Sequence, residues 1–155
     1  MPDPLTHVCI AYLAGRAVRL RRGLAVFLIG TLLPDVITSV PSTVLGGYWF
    51  FAPAHTPVGV LVWGYAASLL FRREDRRLAF ICLAAGGWLA LALDALQDHV
   101  AGGYMLLFPF SWAEYELHLI GPEASLSWLP FLVPAVVLVA LLGRLGCRRA
   151  FSKSA

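Results

Sequence analysis

Charge is what this chain has least of. Acidic and basic side chains make up 14% of its 155 residues, where a soluble domain carries about a quarter. With 59% hydrophobic residues and a mean hydropathy of +0.76, that deficit argues for lipid as the solvent. Cysteine is scarce too. Cys9, Cys82 and Cys147 are isolated and form no CxxC pair, which argues against a disulfide framework and a cysteine-based zinc site. No positively charged n-region opens the chain and no small-residue cleavage site precedes a clear break, so the first segment is expected to be retained. Internal repeats and low-complexity runs are also missing, and the length suits one integral membrane domain over residues 1–155.

What is present is strongly ordered along the chain. All twelve Lys and Arg residues fall into three clusters: Arg16/Arg19/Arg21/Arg22, Arg72/Arg73/Arg76/Arg77 and Arg144/Arg148/Arg149/Lys153. The net charge of +3 does not point to nucleic acid, because these residues cap apolar spans and form no interleaved aromatic–basic surface. They mark the cytoplasmic loops of a multi-span membrane protein. The fold class is therefore all-α, a bundle of about five transmembrane helices near residues 5–20, 24–40, 57–71, 78–97 and 128–145. Asp3 and Pro4 suit a helix start. Pro34 should kink or end the second span. Gly86-Gly87 would let a neighbouring helix come close. Tyr48, Trp49, Phe50 and Phe51 read as an interfacial belt. Basic loops inside imply an outer N-terminus, a cytoplasmic C-terminus, and outer connections at 41–56 and 98–127.

Six reactive residues fall toward the face opposite the arginines: His7, Asp35, His55, Asp94, Asp98 and His99. An ionisable side chain at the centre of a membrane helix costs ~2.5–3.5 kcal/mol on insertion scales, so such residues need partners. Asp94 is the least comfortable alone, since it follows the apolar run from Trp88 to Leu93. Four helix ends are expected to bring imidazoles and carboxylates into one layer, a donor mixture that suits zinc or a similar divalent metal. Within the fourth span Asp94 and Asp98 are four residues apart, so they are expected to share a face and stack one turn above another. Thr6, Thr31, Thr56 and Gln97 are candidates for hydrogen bonds to the ligands. Each residue also has a plainer role: His7 as a polar terminus, Asp35 as a cap, His55 as an interfacial residue, Asp98 and His99 as solvated groups. Glu114, Glu116 and His118 read as a solvated outer loop.

At these residues the chain resembles the YdjM-type membrane-bound metal-dependent hydrolases, also called the LexA-binding, inner-membrane-associated hydrolase family. The pieces are Pro4-Leu5-Thr6-His7, Gly30 through Pro34-Asp35, Ala54-His55-Thr56, Leu91-Ala92-Leu93-Asp94, and Gly103 through Pro109-Phe110-Ser111. Their order and spacing carry the likeness. The resemblance implies a metal site at His7, Asp35, His55 and Asp94, with His99 or Asp98 as further donors. Ile37, Phe50 and Ala90 stand where the family pattern has additional ligands.

Three functions follow as expectations. The first is an inner-membrane hydrolase using a divalent metal, with Asp94 or Asp98 as general base, acting on a lipid-linked or phosphoester substrate at the outer boundary. The second is a catalytically degenerate scaffold or partner of another membrane protein, motivated by the replaced ligands. The third, ranked last, is a transporter or proton relay, because the polar groups gather at one face rather than crossing the bilayer.

Overall fold

The structure, a computed structural model, describes residues 4–46, 52–98, 103–121 and 124–152. Its helices are α1 (Pro4–Ala17), α2 (Leu24–Leu45), α3 (Pro57–Ser68), α4 (Arg76–Leu96) and α5 (Ala124–Ser152), with a 3-10 turn at Ala52–His55 leading into α3. Among the described residues there is no strand, only the isolated bridges Gln97–Ile120 and Tyr104–Tyr115. The expected all-α bundle of five helices is observed. Three of them are long and apolar enough to cross a membrane: α2, α4 and the 126–143 stretch of α5. With 14 and 12 residues, α1 and α3 extend only about 21 and 18 Å at a rise of ~1.5 Å per residue, short of the ~30 Å hydrocarbon layer.

The second span differs from expectation. Neither Pro34 nor Pro41 ends α2, which runs on to Leu45. A proline removes one ladder hydrogen bond and crowds the preceding turn. In lipid, however, unwinding the helix would strand further backbone groups, so proline is tolerated inside spans. One turn on, the Thr38 hydroxyl turns back along the helix, its Oγ1 donating to the Pro34 carbonyl at 2.8 Å. Asp35 therefore sits in the middle of a helix and not at its tip.

The central pair is α2 and α4. A Cβ on Gly30 would lie 2.5 Å from the Leu83 carbonyl oxygen, and one on Gly86 would meet the Phe27 carbonyl. The two backbones thus touch where only glycine fits. On the adjoining face of α4, Gly87 receives Val60 of α3. Helix α1 packs against α2 and α5, with Ala11, Phe27 and Cys82 forming a small buried core. The Arg16 guanidinium lies against Gly143 of α5, and Gly23 lies against Cys82 near the start of α4. The arginine-bearing ends of α1, α4 and α5 thus gather at one end of the bundle. None of the 126–143 stretch is buried, as expected of a helix bathed in lipid.

At the other end, residues 103–121 fold back over the bundle. Tyr104 and Tyr115 exchange two backbone hydrogen bonds of 3.1 and 3.0 Å. The amides of Leu117, Leu119 and Ile120 donate to the carbonyls of Ala95 and Leu96. A helix leaves its last carbonyls without intrahelical partners, and this returning segment supplies them to α4.

Candidate metal centre

His7 lies in the second turn of α1, Asp35 in mid-α2, His55 at the end of the 3-10 turn, and Asp94 in the last turn of α4. Local chemistry holds His55 in place. Thr56 Oγ1 donates to the Pro53 carbonyl at 2.7 Å and accepts the Gly59 amide at 3.0 Å. It is the N-cap of α3, with Pro57 at the first helical position, where a missing N–H costs nothing. The Pro-Ala-His-Thr-Pro run thereby presents His55 immediately ahead of a fixed helix start. Gly59 allows the turn to fold tightly, since a Cβ there would strike the Pro53 and Ala54 carbonyls.

The four side chains converge. His7 and Asp94 are fully buried, His55 is 2% exposed and Asp35 9%. They alternate around a ring. His7 faces Asp35 through Nδ1 at 3.5 Å and Asp94 through Nε2 at 3.3 Å. His55 faces Asp35 through Nδ1 at 3.7 Å and Asp94 through Nε2 at 2.7 Å. Only the last of these contacts is a hydrogen bond. Both nitrogens of His7, Nδ1 of His55, Oδ1 of Asp35 and Oδ1 of Asp94 are buried without a hydrogen-bond partner. Each such group costs about 1–3 kcal/mol if left so. Asp35, His55 and Asp94 each offer one donor atom, and these atoms lie within 4.8 Å of one another. The donor set, imidazole nitrogen plus carboxylate oxygen, fits a zinc-class divalent cation. His7 adjoins both carboxylates. Tyr104, itself buried, stacks on His55 with ring centroids 5.0 Å apart and planes at 29°.

Such a polar knot inside apolar helices, in the order Thr-His, Pro-Asp, His-Thr and helical Asp, can be compared with known families. The chain belongs to the YdjM inner membrane protein family. That family's model matches residues 1–152. No curated protein and no solved structure gives a significant match. The family and the three long apolar helices make this a multi-pass inner-membrane protein.

Within this inner-membrane protein, not every residue singled out from sequence joins the ring. Helix α4 ends at Leu96 and Gln97 turns extended, with φ −102° and ψ 145°. Asp98 therefore does not stack over Asp94, and its Oδ1 meets His118 Nδ1 at 2.6 Å instead. His99, and with it Tyr48 to Phe51, lies outside the described residues. Three of the expected supporting groups turn to the backbone. Thr31 donates to the Leu28 carbonyl, and Thr56 is the α3 cap. Gln97 Nε2 reaches the Gly121 carbonyl at 3.4 Å. Ala90 is fully buried one turn before Asp94, and Ile37 faces a groove beside the 3-10 turn. Sequence reasoning passed over Tyr104. Its one signal was its place next to Gly103 in the closing stretch of the resemblance.

The place of Asp35 along its helix also departs from expectation. Counted at ~1.5 Å per residue, His7 lies about 13 Å along α1 from Arg16. Asp35 lies about 17 Å along α2 from Leu24, and α2 continues about 15 Å beyond it. The ring is set within the bundle, with His55 and Asp94 at element ends but Asp35 far from one.

Proposed function

We propose that the protein is a membrane-bound, metal-dependent hydrolase whose cation is held by Asp35, His55 and Asp94, with His7 bracing both carboxylates. The substrate class is a lipid-linked or headgroup phosphoester. One observation carries this reading: four ionisable side chains from four separate elements meet in a buried ring with a single hydrogen bond among them. Evolution of a purely structural ring would be expected to satisfy those atoms or replace them with apolar residues. A bound divalent cation supplies Lewis acidity, polarising a phosphoryl oxygen and acidifying a water.

The residues themselves divide the work. Asp94, buried and hydrogen-bonded to His55 Nε2, fixes that imidazole's orientation and tautomer. His7 holds the two carboxylates apart by standing between them. Asp35 alone of the four shows surface, with 12% of its side chain exposed, so it is placed to accept a proton from an entering water. Lipid as substrate is supported by an open apolar groove of about 300 Å³ lined by Ile37, Pro53, Ala54, Val58, Val62 and Phe108. It runs beside the elements carrying Asp35 and His55 and could hold a hydrocarbon chain.

Tag-free protein, purified in detergent without chelator, tests the reading by elemental analysis. His55→Ala and Asp94→Asn should each lower bound divalent metal by one ion per chain and abolish hydrolysis of the headgroup phosphoester in phospholipid micelles. Unchanged metal content in both variants would remove the proposal. A non-catalytic scaffold is the second reading, favoured by Ala90 and Ile37 at expected ligand positions. It predicts that Asp35→Asn leaves cellular function intact while bundle-disrupting changes at Gly86 do not.

A further inference from the structure

We propose a second divalent-cation site on the returning segment, built from Asp98, Glu116 and His118 and separate from the buried ring. Asp98 comes from the exit of α4, and Glu116 and His118 from the strand-like run that caps that helix. His118 Nδ1 stands 2.6 Å from Asp98 Oδ1 and 3.5 Å from Glu116 Oε2. The three residues offer donor atoms within 4.8 Å of one another. A single Nδ1 thus faces two carboxylates, and one N–H can serve only one of them well.

Glu116 provides the independent sign of a missing ligand. Its side chain is 9% exposed, unusual for a glutamate, and its Oε1 is buried with no hydrogen-bond partner. Its stem is pressed against Gly103, where a Cβ would come within 3.0 Å of Glu116 Cγ. A half-satisfied buried carboxylate is costly, and a cation would neutralise it together with Asp98. The neighbouring Glu114 is engaged elsewhere, accepting the Gly103 amide at 3.1 Å. One imidazole and two carboxylates suit a zinc-class ion better than calcium or magnesium, which prefer oxygen alone. The open side of His118, 68% exposed, leaves room for water to complete the coordination.

Occupancy would staple the exit of α4 to the segment that covers the ring. That segment carries Tyr104, stacked on His55, and Ile120, which lines a cavity of about 20 Å³ beside His7. The outer ion would brace the cover over the inner residues without touching them.

The test is equilibrium dialysis of the full-length, tag-free protein in detergent against zinc alone, with Glu116→Gln and His118→Ala beside wild type. Each variant should bind one ion fewer per chain, or bind that ion at least tenfold more weakly, at unchanged helical circular dichroism. Zinc stoichiometry and affinity equal to wild type in both variants would overturn the proposal. Glu116→Gln is nearly isosteric, which guards against a folding failure posing as ion loss. The ring variant Asp94→Asn separates the two sites. Loss of an ion in the outer variants but not in Asp94→Asn supports the outer site and counts against the ring as a metal centre. Loss in Asp94→Asn alone does the reverse.

Discussion

At the scale of single residues, the buried ring sets the largest expected effects. Asp94 faces both imidazoles, so Asp94→Ala leaves two buried histidines without their shared carboxylate. Removing one member of a buried charged set typically costs about 3–5 kcal/mol. The melting temperature followed by tryptophan fluorescence in detergent should fall accordingly, and a shift under 1 °C would contradict the ring as an interacting unit. Tyr104→Leu should keep the fold but release the face of His55. Loss of a group that orients a ligand commonly weakens metal binding about 10–100-fold, so zinc affinity should drop at least tenfold. How much of this was readable beforehand depended on the residue. His7, Asp35, His55 and Asp94 stood out because ionisable groups amid apolar helices demand partners. Tyr104 did not, since nothing in an aromatic residue of an outer loop announces which ring it will cover. Asp98 misled for a definite reason: its spacing from Asp94 matters only while the helix lasts, and Gln97 turns first.

At the scale of elements, the helices were legible from apolar runs bounded by arginines, and their ends were less so. Pro34 suggested a break, but in lipid the cost of stranding further backbone groups favours continuation. The returning segment was invisible as structure, because its order comes from capping α4 and not from any periodicity of its own. Two substitutions probe this level. Gly86→Leu would force side-chain atoms into the Phe27 carbonyl. Overpacking of that kind costs about 1–3 kcal/mol or more, and separation of α2 from α4 would carry Asp35 away from Asp94. Metal binding should therefore fail together with stability, as read by elemental analysis and thermal unfolding of the same sample. Thr56→Ala is milder. It deletes the α3 cap at about 1 kcal/mol and loosens the turn that aims His55, so zinc affinity should decline while helix content stays the same.

At the scale of the whole molecule, the basic clusters are the organising feature. They were plain in the sequence, and the structure brings the ends of α1, α4 and α5 together through Arg16–Gly143 and Gly23–Cys82. With the positive-inside tendency, we expect those ends in the cytoplasm and the 103–121 segment outside. A cysteine introduced at His118 should react with a membrane-impermeant maleimide in intact cells, and one at Glu74 only after permeabilisation. The reverse pattern would invert the topology while leaving the ring itself untouched. The position of Asp35 could not be read from sequence. It needed the true end of α2, which places that residue in mid-helix.

The stacking of Tyr104 over His55, with Asp35 the most exposed of the four ring side chains, bears on kinetics as well as on affinity. The narrow edge at Asp35 would pass a water far more easily than a bulky chelator, so stripping of a bound cation should be slow, limited by opening of the bundle and indifferent to chelator strength.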